Sequence, residues 1–122
     1  MPSLRERLEK VLKDLKEVGD VEASAIVSRD GLLIAADLSP NVNAEAFAAM
    51  TATMLGAAET ATSELGMGIP DRVIVEGKMG KIVAVGAGPK ALLVVMTNPR
   101  ASLGLILLEI GKASERIKEL LG

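Results

Sequence analysis

The sequence predicts one α/β domain of the α+β type, with helices on both faces of a five-stranded antiparallel sheet. Its 122 residues suit one domain. Helical patterns open and close the chain, and short strand patterns separated by turn residues lie between them. Two of these strands are apolar on both faces and must therefore be covered on both. We expect the element order α-β-β-α-β-β-β-α, with no repeat and no linker.

The first helix is predicted from its cap and its periodicity. Ser3 followed three residues later by Glu6 forms a capping-box pattern, and Gly19 ends the pattern. Apolar residues recur between them at helical spacing: Leu4, Leu8, Val11, Leu12, Leu15 and Val18. This is the pattern of an amphipathic helix that buries one face.

Two short strands and a second helix follow. Residues 21–28 and 32–37 read as strands, joined at Arg29-Asp30-Gly31, whose Asp-Gly step is a strong hairpin signal. After a loop, Asn43 is a suitable N-cap for a helix that extends to Leu65.

Three strands and a final helix complete the chain. The strands are predicted at 72–76, 81–87 and 91–97, and the helix at about 102–121. The last two strands are the ones that are apolar on both faces. Hairpins make strands 1 and 2 neighbours and link strands 3, 4 and 5 in turn. Joining the two most apolar ends gives the order 2-1-5-4-3, with strands 2 and 3 at the edges.

Composition excludes several classes of function. The chain has no cysteine and no histidine, which removes disulfides, thiolate chemistry, and the commonest general base and transition-metal ligand. A net charge of −2 offers no basic surface for nucleic acid. No apolar run is long enough to span a bilayer, and no secretory signal is visible. We therefore expect a cytoplasmic protein with no catalytic residue, cofactor, metal site or membrane insertion.

Some motifs suggest chemistry but have simpler interpretations. Residues 86–91 match a dinucleotide-binding pattern, yet that motif needs a helix after the strand, and residues 91–96 read as another strand. A tight hairpin is favoured. Arg72 or Arg100 could serve as an arginine finger, but solvated side chains are favoured. Asp30 and Asp37 could bind a hard cation with either Asp20 or Glu22, although turn formation explains these acids better.

The second helix is the unusual element, because residues 46–58 carry no charge. A surface helix normally has one apolar stripe and one charged face. We expect the core stripe to consist of Phe47, Met50, Met54, Ala58 and Leu65. The other faces hold small uncharged residues: Ala49, Ala52, Thr53, Gly56, Ala57 and Thr60. A mid-helix glycine such as Gly56 costs about 1 kcal/mol relative to alanine, which indicates a packing reason.

These small faces have two interpretations. The helix could be buried within the monomer, or merely alanine-rich and exposed. The favoured alternative is a protein–protein interface, in which the helix and the neighbouring edge strand pair with a second copy. The predicted dimer interface comprises Ala49, Thr53, Gly56, Ala57, Thr60, Arg72, Val73 and Val75. A further partner would meet a charged rim formed by Glu45, Glu59 and Glu64, with Arg72 nearby.

Three blocks of the sequence resemble the Roadblock/dynein light-chain family. They are residues 19–31, 73–77 and 103–109, and the likeness extends over about residues 4–118. The chain is similar to the simple prokaryotic members. The resemblance implies a homodimer of paired second helices and paired third strands. It also implies regulation or scaffolding of NTPases, chiefly small Ras-like GTPases.

The expected function is therefore that of a non-catalytic dimeric regulator or scaffold for a small Ras-like GTPase. One alternative is a structural adaptor in a larger complex, with no effect on nucleotide turnover. Another is a small-molecule sensor on a similar fold, which would need a pocket with convergent polar groups. The sequence shows no such cluster.

Overall fold

A computed structural model describes residues 1–122 and confirms the predicted element order. The helices are α1 (Leu4–Lys16), α2 (Ala44–Glu64) and α3 (Leu103–Leu121). The strands are β1 (Val21–Ser28), β2 (Leu33–Asp37), β3 (Arg72–Gly77), β4 (Gly80–Gly86) and β5 (Ala91–Thr97).

The five strands form one antiparallel sheet in the predicted order, β2-β1-β5-β4-β3. Strands β2 and β3 lie at opposite edges, so α2, which connects them, crosses the sheet. Because β3 pairs only with β4, one side of its backbone is free of any strand neighbour.

Helices α1 and α3 lie side by side on one face of the sheet. Arg116 Nη1 on α3 donates to Asp14 Oδ2 on α1 at 3.0 Å and joins them. The main core lies beneath these helices and includes Ile26, Val83 and Leu93 from the sheet.

Helix α2 covers the other face alone, over a smaller core. This core consists of Ala25, Val27, Ala48, Ala84 and Val94. Small side chains here let the helix backbone lie close to the strands. The prediction that the last two strands would be covered on both faces is confirmed, since Val83 and Ala84 are both buried although they point to opposite faces.

The predicted helix starts are also confirmed. Ser3 Oγ accepts from the Glu6 N–H at 3.1 Å while Glu6 Oε1 accepts from the Ser3 N–H at 3.1 Å, which completes the capping box. Asn43 Oδ1 accepts from the Ala46 N–H at 3.1 Å and caps α2. These local bonds satisfy N–H groups that the helix cannot pair internally.

The β3–β4 turn is tighter than the sequence predicts. Gly77 pairs with Gly80 across the hairpin, so the loop contains only Lys78 and Met79. Two-residue loops are the commonest hairpin connection because their twist matches that of the strands. As a result, Met79 projects at the sheet edge, 89% exposed.

Candidate protein–protein interface

The outward face of α2 is exposed and uncharged, as the sequence predicts. Among the predicted interface residues of α2, Gly56 is half-exposed. The other four are exposed: Ala49, Thr53, Ala57 and Thr60. The Thr53 hydroxyl donates to the Ala49 carbonyl of its own helix at 2.9 Å. The Thr53 proton is therefore used within the helix, and the exposed side chains of this face carry no charge.

The predicted core stripe of α2 is right for Phe47 and Met54, which pack partly buried against the smaller core, and wrong for Met50 and Leu65. Met50 is 63% exposed and Leu65 73% exposed. The buried residues of the helix are instead Ala48, Thr51 and Leu55. Every face of this helix is apolar, so periodicity could not identify the side that lies on the sheet. The strands lie close to α2 on this side, which favours small side chains such as Ala48 between the helix and the sheet.

The exposed methionine belongs to an apolar groove between α2 and the sheet. The groove has a volume of about 200 Å³ and is lined by Phe47, Met50, Thr51, Met54 and Ile82. It opens on the side of α2 that faces β4 and β3. Sequence reasoning missed this surface because it assigned Met50 to the core, although flexible methionines are frequent at adaptable binding surfaces.

Strand β3 extends the same apolar surface to the edge of the sheet. Val73 and Val75 pair with Ala84 and Ile82, whose side chains face α2, so all four lie on that face. Val75 is 42% exposed. The apolar surface is thus continuous from α2 to a strand edge with free hydrogen-bonding groups.

Arg72 lies on the opposite face from α2, which corrects the prediction that it stands near the α2 rim. It pairs with Val85, a residue of the core beneath α1 and α3. With Leu107, Leu108 and Lys112 of α3 it lines an open groove there. The alternation of side chains along the strand decides this placement.

The flank of α2 nearest the β1–β2 turn is tied to its own chain. Arg29 Nη1 donates to Glu59 Oε2 at 3.1 Å, and Arg29 Nη2 donates to the Gly88 carbonyl at 3.0 Å. Glu59 is therefore not the free rim charge that the sequence predicts. A Cβ added at Gly31 would lie 3.2 Å from Ala49 Cα, so the small side chain at Ala49 also serves packing within the monomer.

The other two predicted rim acids remain free. Glu45 lies in the first turn of α2 and Glu64 is its last residue. Both are exposed, and neither forms an ion pair within the chain. They place negative charge at the two ends of the uncharged face.

The two carboxyl groups with shifted pKa values lie away from this surface, on α1. Hydrogen bonds from the Ser3 backbone and hydroxyl lower the pKa of Glu6. Hydrogen bonds from Lys10 and then Arg116 lower the pKa of Asp14. Capping and helix pairing account for both shifts, so neither indicates a reactive centre.

No reactive cluster takes shape elsewhere in the structure. No group of three or more His, Cys, Asp or Glu residues is placed to hold a metal ion. The glycine-rich segment before β5 is a tight turn with Gly88 at φ +86°, and a strand follows it, as predicted for a hairpin. No helix has the length and apolar character needed to cross a membrane.

Comparison with known proteins gives consistent matches. The model of the Roadblock/LC7 domain matches residues 7–97. Protein MJ1340 of Methanocaldococcus jannaschii is 39% identical over 111 residues, which is 91% of this chain and 96% of the relative. MglB of Myxococcus xanthus has a similar structure, with a TM-score of 0.91 at 23% identity, covering 99% of this chain and 92% of that one. A structure described as MglB with a tetrameric arrangement gives a TM-score of 0.89 at 20% identity, over 98% and 91% of the two chains.

Proposed function

This chain belongs to the Roadblock/LC7 domain family, and we propose that it is a non-catalytic, dimeric regulator or scaffold of a small Ras-like GTPase. One observation carries the proposal: the uncharged face of α2 is continuous with an unpaired strand edge. Exposed apolar patches and free strand edges promote association, so this combination indicates that the chain binds another protein surface. A surface made for protein contact, with no reactive group, suits a binding module.

The first part of the proposal is self-association. Two copies that join their β3 edges form one continuous sheet, and both α2 helices then lie on the same face. The methionine-lined groove faces the β3 side and therefore faces the second copy. Self-assembly has a precedent in a protein of the same fold, the MglB described in a tetrameric arrangement.

The dimer can be tested with Ala57→Glu, which places a charge on the exposed α2 face. Wild-type protein should sediment as a dimer at micromolar concentration. The variant should dissociate because a buried unpaired charge is strongly unfavourable. Lys13→Gln, which changes net charge by the same amount on α1, is the matched control and should remain dimeric. A monomeric wild-type protein would refute the dimer.

The second part is the engagement of a GTPase. Paired α2 helices would form a wide platform with an uncharged centre and acidic ends, the usual anatomy of a specific interface. The predicted dimer residues of α2, Ala49, Thr53, Gly56, Ala57 and Thr60, would belong to the uncharged part of this platform. Glu45 and Glu64 would lie on the rim. A single GTPase across the two-fold axis would contact both copies, giving two chains of this protein per partner.

The absence of intrinsic catalysis is a separate test of the same proposal. Purified protein should neither bind nor hydrolyse GTP or ATP. The decisive experiment isolates a Ras-like GTPase from the source cells, titrates it with this protein and measures its hydrolysis rate. Hydrolysis by this chain alone, abolished by substitution of one acidic residue, would refute the proposal. We propose that the protein acts in the cytoplasm, where GTP is available to such GTPases.

A structural adaptor remains the second candidate, favoured by the same uncharged surface. The two functions differ in one measurement. A regulator changes the hydrolysis rate of the bound GTPase, whereas an adaptor binds its complex and leaves nucleotide turnover unchanged.

A further inference from the structure

We propose that the outward face of α3 binds the same face of α3 in a second copy of this chain, with the two helices antiparallel and Leu108 at the centre of the contact. This surface lies on the opposite side of the sheet from α2. The contact is therefore separate from the proposed dimer, which uses α2 and β3, and does not depend on it. Where both contacts form, α3 would join one dimer to another.

The outward face of α3 carries exposed apolar side chains. The inner side of the helix belongs to the main core: Ile106, Ile110, Ala113 and Ile117. On the outer side, Leu105 is 57% exposed and Leu108 is 58% exposed. Gly104 lies one turn before Leu108 on the same side, and a Cβ added there would meet nothing within 4 Å. A facing helix therefore has room to approach closely beside Leu108.

The free charges of this surface divide between its two ends. Arg100 lies just before α3, whereas Glu115 and Glu119 lie in its C-terminal half. All three are exposed, and none forms an ion pair within the chain. By contrast, Lys112 and Arg116 already have carboxylate partners in the chain. One end therefore offers a free positive charge and the other offers free negative charge.

The start of α3 lacks the negative charge that a helix N-terminus favours. Its first turn contains no acidic residue, and the N-cap Ser102 makes no side-chain bond. Arg100 adds positive charge at the same end, where the helix dipole is also positive. A carboxylate brought to this end from another chain would be attracted by both.

The spacing of these groups identifies a second copy as the occupant. Along the helix axis, Ser102 lies about 9 Å before Leu108 and Glu115 about 10 Å after it. A two-fold axis through Leu108 therefore brings Glu115 of the partner subunit to the start of α3, beside Arg100, and the symmetric pair forms at the other end. Parallel helices would instead place like charges together. An unrelated helix of one charge sign would be repelled by one of the two ends.

Sedimentation of the full-length protein tests this contact. A single pair of helices buries less surface than a standard interface, so association should be weak and should rise with concentration. We expect the wild-type dimer to gain mass toward a tetramer between about 10 μM and about 1 mM. Leu108→Glu should lose this association and remain dimeric, because it would bury unpaired charge in an apolar contact. Leu32→Glu is the matched control, since Leu32 is 68% exposed before β2, and it should behave as the wild type does.

A second substitution separates this contact from the proposed function. Ala57→Glu removes the proposed dimer and leaves α3 unchanged, so this variant should still form pairs of chains at high concentration, and A57E/L108E should be monomeric. A wild-type dimer that gains no mass up to about 1 mM, or whose further association survives Leu108→Glu, would overturn the α3 contact and leave the proposed function intact. A dimer that resists Ala57→Glu but dissociates on Leu108→Glu would refute the proposed dimer and support the α3 contact.

Single-cysteine variants test the antiparallel direction, because the chain contains no cysteine. On oxidation, Leu108→Cys should form a disulfide with its own copy at the two-fold axis. Gly104→Cys and Lys112→Cys should crosslink with each other when mixed, and neither with itself. Self-crosslinking of both would indicate parallel helices and overturn the proposal. Lys13→Cys, exposed on α1, is the control for random collision, and a rate equal to that of Leu108→Cys would overturn the contact.

Charge exchange gives a readout that needs no disulfide. Arg100→Glu or Glu115→Arg alone should weaken the association by about two- to tenfold, because like charges would meet at both ends. The double variant R100E/E115R should recover most of the affinity. Mixing the two single variants should favour the mixed pair over either variant alone. Additive losses with no recovery in the double variant would overturn the pairing of Arg100 with Glu115.

Discussion

Arg29 and Glu59 hold the β1–β2 turn against the C-terminal half of α2, with Nη1 and Oε2 3.1 Å apart. The same guanidinium donates to the Gly88 carbonyl at 3.0 Å. One side chain therefore connects two hairpin turns to the only helix on that face of the sheet. Its position fixes one flank of α2 and leaves the flank nearest β3 open.

We predict that the Arg29–Glu59 pair contributes about 0.2–1 kcal/mol to the free energy of unfolding, as is usual for a half-exposed ion pair. The measurement is a double-mutant cycle with Arg29→Ala and Glu59→Gln, followed by urea denaturation. Arg29→Ala should cost more than Glu59→Gln because it also removes the bond to Gly88. Equal costs would contradict the connecting role of Arg29.

We predict that Gly56→Ala stabilises the single chain by about 0.5–1 kcal/mol but weakens the dimer. A Cβ at Gly56 meets nothing within 4 Å in the single chain, and the same is true of Gly111 in α3. Gly111→Ala is therefore the matched control. Both variants should resist urea better under conditions where the protein is monomeric. Only Gly56→Ala should raise the dissociation constant, and identical dimer affinities would remove Gly56 from the interface.

We predict an acid-dependent loss of stability at Asp14. Bonds from Lys10 and Arg116 lower its pKa in the folded chain, so the folded state favours the ionised form. This stabilisation is present above the ordinary aspartate pKa of about 3.9 and is lost as pH falls through the lower folded value. Asp14→Asn should flatten this part of the stability profile between neutral pH and acid. An unchanged profile would contradict the assignment.

We predict that Glu64→Lys weakens binding to the GTPase by about fivefold and leaves the dimer intact. Glu64 ends α2, where a lysine also suits the helix dipole, so the helix should not lose stability. Lys13→Glu on α1 is the control. Glu59 is a poor choice for this test, since reversing its charge would also break the pair with Arg29. Equal affinities of the two variants, or a larger defect at Lys13, would place the partner on the α1–α3 face.

Much of the fold could be predicted because its signals are local. The Ser3–Glu6 box and the Asn43 cap involve residues three apart, and their bonds form wherever the helix starts. The strand order followed from hairpin neighbours and from the apolar character of β4 and β5. The uncharged surface of α2 could also be predicted, because the sequence alone shows which residues of a helix are charged.

The orientation of α2 and the state of its rim could not be predicted. Met50 and Leu55 are equally suited to a core, and only the packed sheet places Leu55 inside and Met50 outside. Glu59 is paired because a turn thirty residues earlier in the chain brings Arg29 to it. The side of the sheet that carries Arg72 depends on its pairing with Val85.

The sequence by itself determined the elements, their order, the family resemblance and the exclusion of cysteine and histidine chemistry. These depend on residue identity and on contacts between near neighbours. Only the tertiary structure decided which side of α2 faces solvent, which acids are free, and that Val73 and Val75 share a face with Met50 while Arg72 does not. Those properties depend on contacts between distant segments, whose geometry exists only once the sheet and helices have packed together.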